Sequence, residues 1–201
     1  MRKLLLLLCI LFPLISNAQV SNFAFGGNSG LQYRVNDVNF GMISLSPGFS
    51  FDFGEDNYNN SGMFFGVNYS FFEDIQRQHL FFLNPYYQRY LIKKNSWSIF
   101  LRVDFSAGFG GVAFPTAGEW SKEQNLTEIN VGLMPGIKVW LNEGKSSISI
   151  GVDLVNYFRL TVTDPDNVFA DSTNDYVEFL INKNPLSLEY MVVLGGKGNS
   201  R

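Results

Sequence analysis

Along most of this chain apolar and polar residues trade places one for one. Ile148, Ile150, Val152 and Leu154 alternate with Ser147, Ser149, Gly151 and Asp153. Ile129, Val131, Leu133, Ile137 and Val139 alternate with Asn130, Gly132, Gly136 and Lys138. Ile99, Leu101, Val103, Phe105 and Ala107 do the same with Phe100, Arg102, Asp104, Ser106 and Gly108. A period of two kept over this length predicts β-strands, because a helix would scatter the same residues around its circumference. Eight such stretches can be placed, over 22–34, 39–53, 61–72, 79–92, 96–110, 126–141, 146–162 and 177–194. Turn-forming residues separate several of them: Lys93-Lys94-Asn95, Asn142-Glu143-Gly144-Lys145 and the polar run Gly54–Asn60. Two connectors are longer, Val112–Asn125 and Thr163–Tyr176.

A second pattern overlies the first. Ser46-Pro47, Asn84-Pro85, Met134-Pro135 and Asn184-Pro185 each fall inside an even-numbered strand, at the same relative place. Proline removes a ladder donor and normally speaks against a central strand. Its recurrence predicts a shared bulge or bend, a device by which sheets curve, with each hairpin as the repeating unit.

The even strand number and the mix of short and long links fit an all-β, antiparallel, up-and-down transmembrane barrel of eight strands. Apolar rows would then face lipid, and the Gly, Ser, Asn and charged rows would face the interior. A soluble β-sandwich reverses that logic. The small size and mixed charge of the polar row favour the barrel, whose lumen at eight strands is just wide enough for side chains to fill. The expected interior groups are Gln32, Arg34, Asp52, Gln88, Arg102, Asp104, Lys138, Asp153 and Arg159. Among them Arg102, Asp104, Lys138, Asp153 and Arg159 form a charge network across the lumen, since buried charges need partners. Phe51, Phe53, Tyr90, Trp97 and Trp140 lie beside the short turns and are expected to form an interfacial aromatic girdle.

Composition adds an address. Met1-Arg2-Lys3, the apolar stretch Leu4–Ile15 and Ser16-Asn17-Ala18 have the order of a secretory signal peptide, placing cleavage after Ala18. This divides the chain into a signal peptide over 1–18, a barrel over 19–194 and a flexible C-terminal tail over 195–201. Cleavage removes Cys9, the single cysteine, so the remainder has no disulfide and no thiolate metal site. It also removes Arg2 and Lys3, leaving 13 basic residues against 18 acidic ones, a net charge of −5. No basic footprint for nucleic acid is present.

Two sites of chemistry can be weighed. His79, the one histidine, could join Ser70 or Ser121 and Asp74 in a lipid-modifying triad, but no local motif supports it. Asp164, Asp166, Asp171 and Asp175 could hold a cation through oxygen ligands, although their spacing departs from a calcium loop and a solvated acidic loop is the plainer reading.

Gly26-Gly27-Asn28-Ser29-Gly30-Leu31, Ile43-Ser44-Leu45-Ser46-Pro47-Gly48, Asn84-Pro85-Tyr86-Tyr87 and Met134-Pro135-Gly136 carry a resemblance, by order and spacing, over residues 20–194. In these the chain resembles the small outer-membrane β-barrel proteins of Bacteroidetes-type bacteria, the OmpX/OmpA-like barrel domain family. The resemblance implies short periplasmic turns, longer outer loops, insertion by the outer-membrane assembly machinery and no shared catalytic residue. Family members usually end on an aromatic residue. Here the chain runs on from Tyr190 through Gly195–Arg201, so the insertion signal is expected to be internal, centred on Tyr190, or weak. The functional expectation is a non-enzymatic, monomeric outer-membrane barrel without cofactor, in contact with outer-membrane lipid and lipopolysaccharide. Its role would be structural or exercised through its loops. The alternatives are a narrow pore for ions or small solutes, or a lipid-modifying enzyme.

Overall fold

The computed structural model describes residues 20–34, 40–54, 57–72, 76–116, 119–164, 171–179 and 186–194. The assigned signal peptide, the C-terminal tail, Asp74, Asp166 and Pro185 lie outside them. Eight antiparallel strands close into a barrel, each hydrogen-bonded to the next in sequence. They are β1 (Val20–Arg34), β2 (Phe40–Phe53), β3 (Asn59–Phe72), β4 (Gln76–Lys93), β5 (Trp97–Ala113) and β6 (Gln124–Leu141). The seventh strand comes as β7a (Ser146–Val152) and β7b (Val155–Thr163), and the eighth as β8a (Ser172–Phe179) and β8b (Leu186–Val193). Pairing of β8b with β1, from Ala24↔Val193 to Ser29↔Leu188, closes the ring. Two expected boundaries move. The eighth strand starts at Ser172, five residues early, and the β5–β6 connector carries its own small hairpin, Pro115–Thr116 against Glu119–Trp120.

Turn chemistry sets one end of the barrel. Gly54 (φ 90°) and Asn57 (φ 54°) make the β2–β3 turn, closed by Asn57 N–H donating to the Gly54 carbonyl at 3.2 Å. Asn142, Glu143 and Gly144 all take positive φ in the β6–β7 turn, a conformation in which Gly carries no Cβ penalty. Lys93 Nζ, at the end of β4, donates to the Asn57 carbonyl at 2.6 Å and ties that end to the β2–β3 turn.

The alternation sorts the wall as its period demands. Phe25, Leu45, Phe65, Leu83, Val103, Val131, Ile150 and Leu188 stand exposed on the outer face, one from each strand in turn. Between them Ser46, Ser50, Asn60, Gln88, Arg102, Lys138, Ser149 and Glu189 are buried inside. Glycines make the narrow lumen possible. A Cβ on inward Gly62 would come within 2.4 Å of the Phe49 carbonyl and 2.7 Å of the Tyr86 ring.

The prolines behave differently from the expected shared bulge. Pro47, Pro85 and Pro135 each stay paired to the preceding strand, opposite Gly27, Met63 and Leu101. Toward the following strand the ladder is interrupted beside Pro47 and Pro85, yet its register resumes unshifted, Leu45↔Val67 to Gly48↔Phe64 and Leu83↔Ala107 to Tyr86↔Asp104. Only at Pro135 does the register slip, from Leu133↔Val155 to Gly136↔Gly151, around Asp153-Leu154. A missing N–H deletes one rung; an extra residue on the partner strand is what makes a bulge.

Candidate functional site

The interior is layered along the barrel axis. Nearest the short turns, the Asp52 carboxylate accepts hydrogen bonds from Asn60 Nδ2 (2.9 Å), Asn22 Nδ2 (3.3 Å) and the Tyr90 hydroxyl (3.5 Å), with Lys93 Nζ at 3.9 Å. Lys138 Nζ donates to the Tyr90 hydroxyl at 3.2 Å. Tyr90, Phe100 and Met134 pack around this group, with Trp140 against them.

Mid-barrel is filled by Arg102. Its guanidinium meets Glu189 Oε2 at 2.7 Å and donates twice to Gln88 Oε1, from Nε at 3.0 Å and Nη2 at 2.8 Å. Its Cζ lies 4.1 Å from the Tyr86 ring centre and 5.3 Å from that of Phe100. Arg102, Gln88 and Glu189 are each at most 2% exposed. Charge-assisted, forked bonds of this kind are what permit a cation in a low-dielectric interior.

Above Arg102 lies a polar cavity of about 150 Å³. Arg102 forms part of its lining, with Asp104, Asp153, Asn84, Asn130 and Asn156 among the rest. Beyond it, toward the longer loops, Leu80, Val112 and Leu126 make an apolar cluster with Phe114, Leu160 and Val162 packed on it.

Of the expected network, Arg102, Asp104, Lys138 and Asp153 do face inward. Arg102 makes its close ion pair with Glu189 and Lys138 bonds a tyrosine hydroxyl, while Asp104 and Asp153 line the cavity within reach of the Arg102 charge. Arg159 is corrected. It stands on the outer wall, half exposed, 3.8 Å from Asp175. The cause is the bulge at Asp153-Leu154. Odd positions face inward before it (Ser147, Ser149, Gly151) and even positions after it, starting with buried Asn156, so every later residue of the strand changes side. Glu189 was missed, although it lies between Leu188 and Tyr190 in the polar row of the last strand. The side chains of Gln32 and Arg34 lie outside the described residues.

The girdle is partly corrected as well. Phe51, Phe53 and Tyr87 cluster at the turn end, with ring centres 5.9 and 6.2 Å apart along the chain of contacts, and Trp97 is exposed there. Tyr90 and Trp140 instead pack inside, because they share the inward parity of Gln88 and Lys138.

Of the acidic loop weighed as a cation site, Asp164, Asp171 and Asp175 lie among the described residues and Asp166 does not. Asp164 N–H donates to Asp171 Oδ1 at 3.2 Å, while Asp175 accepts from the Tyr157 hydroxyl at 3.0 Å beside Arg159. No group of three His, Cys, Asp or Glu side chains among the described residues is placed to hold a metal. His79 meets Glu123, Nδ1 to Oε1 at 2.9 Å, and not the serines weighed for it. Ser70 is buried, and Ser121 Oγ accepts from Phe114 N–H and donates to the Lys122 carbonyl. Arg77 covers the Trp120 ring at 4.0 Å, so the β5–β6 connector folds onto the outer end of β4.

Comparison with protein-family models, with curated proteins and with solved structures found no match.

Proposed function

We propose that this chain is an integral outer-membrane β-barrel of the small OmpX/OmpA-like kind, exported by its N-terminal signal peptide and monomeric. It is non-enzymatic, and its role is structural or a surface interaction through the longer loops. The observation that carries the reading is the inversion of the wall: large apolar residues exposed outside, a salt-bridged polar interior within. In water, an apolar surface running round a whole molecule is an aggregation surface; in hydrocarbon it is the solvated one. Strands of 14 to 18 residues in β2–β6 exceed the roughly 9–11 that a tilted strand needs to cross a bilayer. Outer-membrane lipid and lipopolysaccharide are its surroundings, and the assembly machinery its route.

The Arg102–Glu189 contact at mid-barrel supports a closed lumen over a pore. The test has two parts. The protein made in bacteria is expected in the outer-membrane fraction, migrating faster on a gel before boiling than after, as a closed barrel does. Refolded into a planar bilayer it is expected to stay electrically silent. Recovery in the soluble periplasmic fraction would overturn the membrane reading, and steady single-channel steps would replace the closed barrel with a pore.

A further inference from the structure

The outer wall is not evenly filled. Between β6 and β7a runs an apolar groove of about 290 Å³, walled by Pro135, Ile137 and Val139 on one strand and Ile148, Ile150 and Val152 on the other. Its place follows from the sequence. Proline offers no N–H to close a rung, and direct pairing of the two strands stops at Gly136↔Gly151 and resumes only at Leu133↔Val155. Ile137 and Ile150 face each other across the groove and stand half exposed.

Two rings frame the end of the groove nearest the short turns. Trp97 pairs with Val139, Val139 with Ile148 and Ile148 with Tyr190, so these residues form one row across four strands. Both rings are exposed on the outer face, and amphipathic rings on a membrane barrel sit at headgroup level. Just beyond the row lies exposed Lys145. Lys94, also exposed, stands in the β4–β5 turn, which is tied to the end of β6 where Trp140 N–H donates to the Ser96 carbonyl at 2.9 Å. The two lysines outnumber Glu143, the acid of the β6–β7 turn. From this mouth the groove runs four residues along each strand, about 14 Å at roughly 3.4 Å per residue. That is close to half of a hydrocarbon core of about 30 Å. Its far end lies at mid-barrel, since Met134, next to Pro135, pairs with Arg102.

We infer that the groove holds one acyl chain of a phospholipid from the leaflet at the short-turn end, with the lipid phosphate at Lys145 and Lys94 and its glycerol level between Trp97 and Tyr190. Apolar depth, aromatic mouth and cationic rim follow the order of a phospholipid from tail to phosphate. A second barrel upright in the same membrane would instead bring its own Lys94 and Lys145 to the same height, where like charges repel. The inference rests on the membrane reading above and adds the place where one lipid is held.

The experiment uses the full refolded barrel in detergent micelles with phosphatidylglycerol added, its fold checked by heat-modifiable migration. Native mass spectrometry is expected to show one lipid kept on each chain after the detergent is stripped. Ile150→Trp, which fills the groove, should lower that retention about tenfold or more, the share of roughly two buried methylenes. Lys145→Gln should lower it about fivefold, the share of one cation at a lipid surface. Leu45→Trp, on the exposed outer face of β2, should leave it unchanged. If Ile150→Trp does not fold, the wild type decides: phosphatidylglycerol brominated on its acyl chains should quench Trp97, saturating at one lipid per chain, and Trp97→Phe should remove that quenching. Graded loss of lipids with none held back, retention undiminished in folded Ile150→Trp, or a dimer mass in place of the lipid would each overturn the site. The membrane reading fails separately, by recovery of the chain in the periplasmic fraction; a barrel found in the outer membrane that keeps no lipid loses the groove assignment alone.

Discussion

Removing the guanidinium at the centre of the barrel tests whether the interior holds the fold or merely fills it. Arg102→Met keeps much of the side-chain volume but strands Glu189, whose carboxylate is buried and whose Oε1 already lacks a partner. It also takes both donors from Gln88 Oε1 and the cation from the face of Tyr86. Breaking a buried ion pair from one side costs about 3–5 kcal/mol, most of it the penalty on the orphaned charge. Glu189→Gln added to Arg102→Met removes that charge, so the double variant should be more stable than the sum of the single losses implies. A coupling of about 2 kcal/mol is expected, within the range for residues sharing one network. The assay is urea unfolding of the barrel refolded into lipid vesicles, followed by tryptophan fluorescence, with stability taken from midpoint and slope. A loss below about 1 kcal/mol for Arg102→Met, or single losses that simply add, would refute the reasoning. Either result would mean that water reaches this layer freely enough to replace the pair.

Two further outcomes follow from the wall. Val103, 46% exposed on the outer face of β5, should tolerate no charge: Val103→Arg is expected to cost about 2–4 kcal/mol if that position sits near the bilayer midplane, read by the same urea titration. Wild-type stability in that variant would place the face in water. Gly62→Ala pushes a Cβ to within 2.4 Å of the Phe49 carbonyl, and overfilling of this kind should cost about 1–3 kcal/mol. An unshifted urea midpoint would show that the lumen is looser there than the contacts around Gly62 imply.

Strand number, order and facing were legible in the sequence because each rests on a local quantity, the period of two. Seven strands begin and end within three residues of where alternation and turn residues place them, and the outward row of exposed Phe, Leu, Val and Ile is the apolar row of the sequence. What misled was any inference that crossed an irregularity. Arg159 was counted inward by carrying parity through Asp153-Leu154, where one extra residue reverses it. Tyr90 and Trp140 were read as a girdle from their nearness to turns, though their own parity already placed them inside.

Alternation by itself thus determined that this chain makes strands, how many, and which residues share a side, since side-chain direction in a strand is a property of neighbouring residues alone. Partners were decided only by closure. Arg102 and Glu189 stand 87 positions apart, and nothing in their spacing brings them together. They meet because the last strand pairs with the first, and because shear sets which inward residues share a height. Pairing across a lumen is a property of the ring, and no single strand contains it.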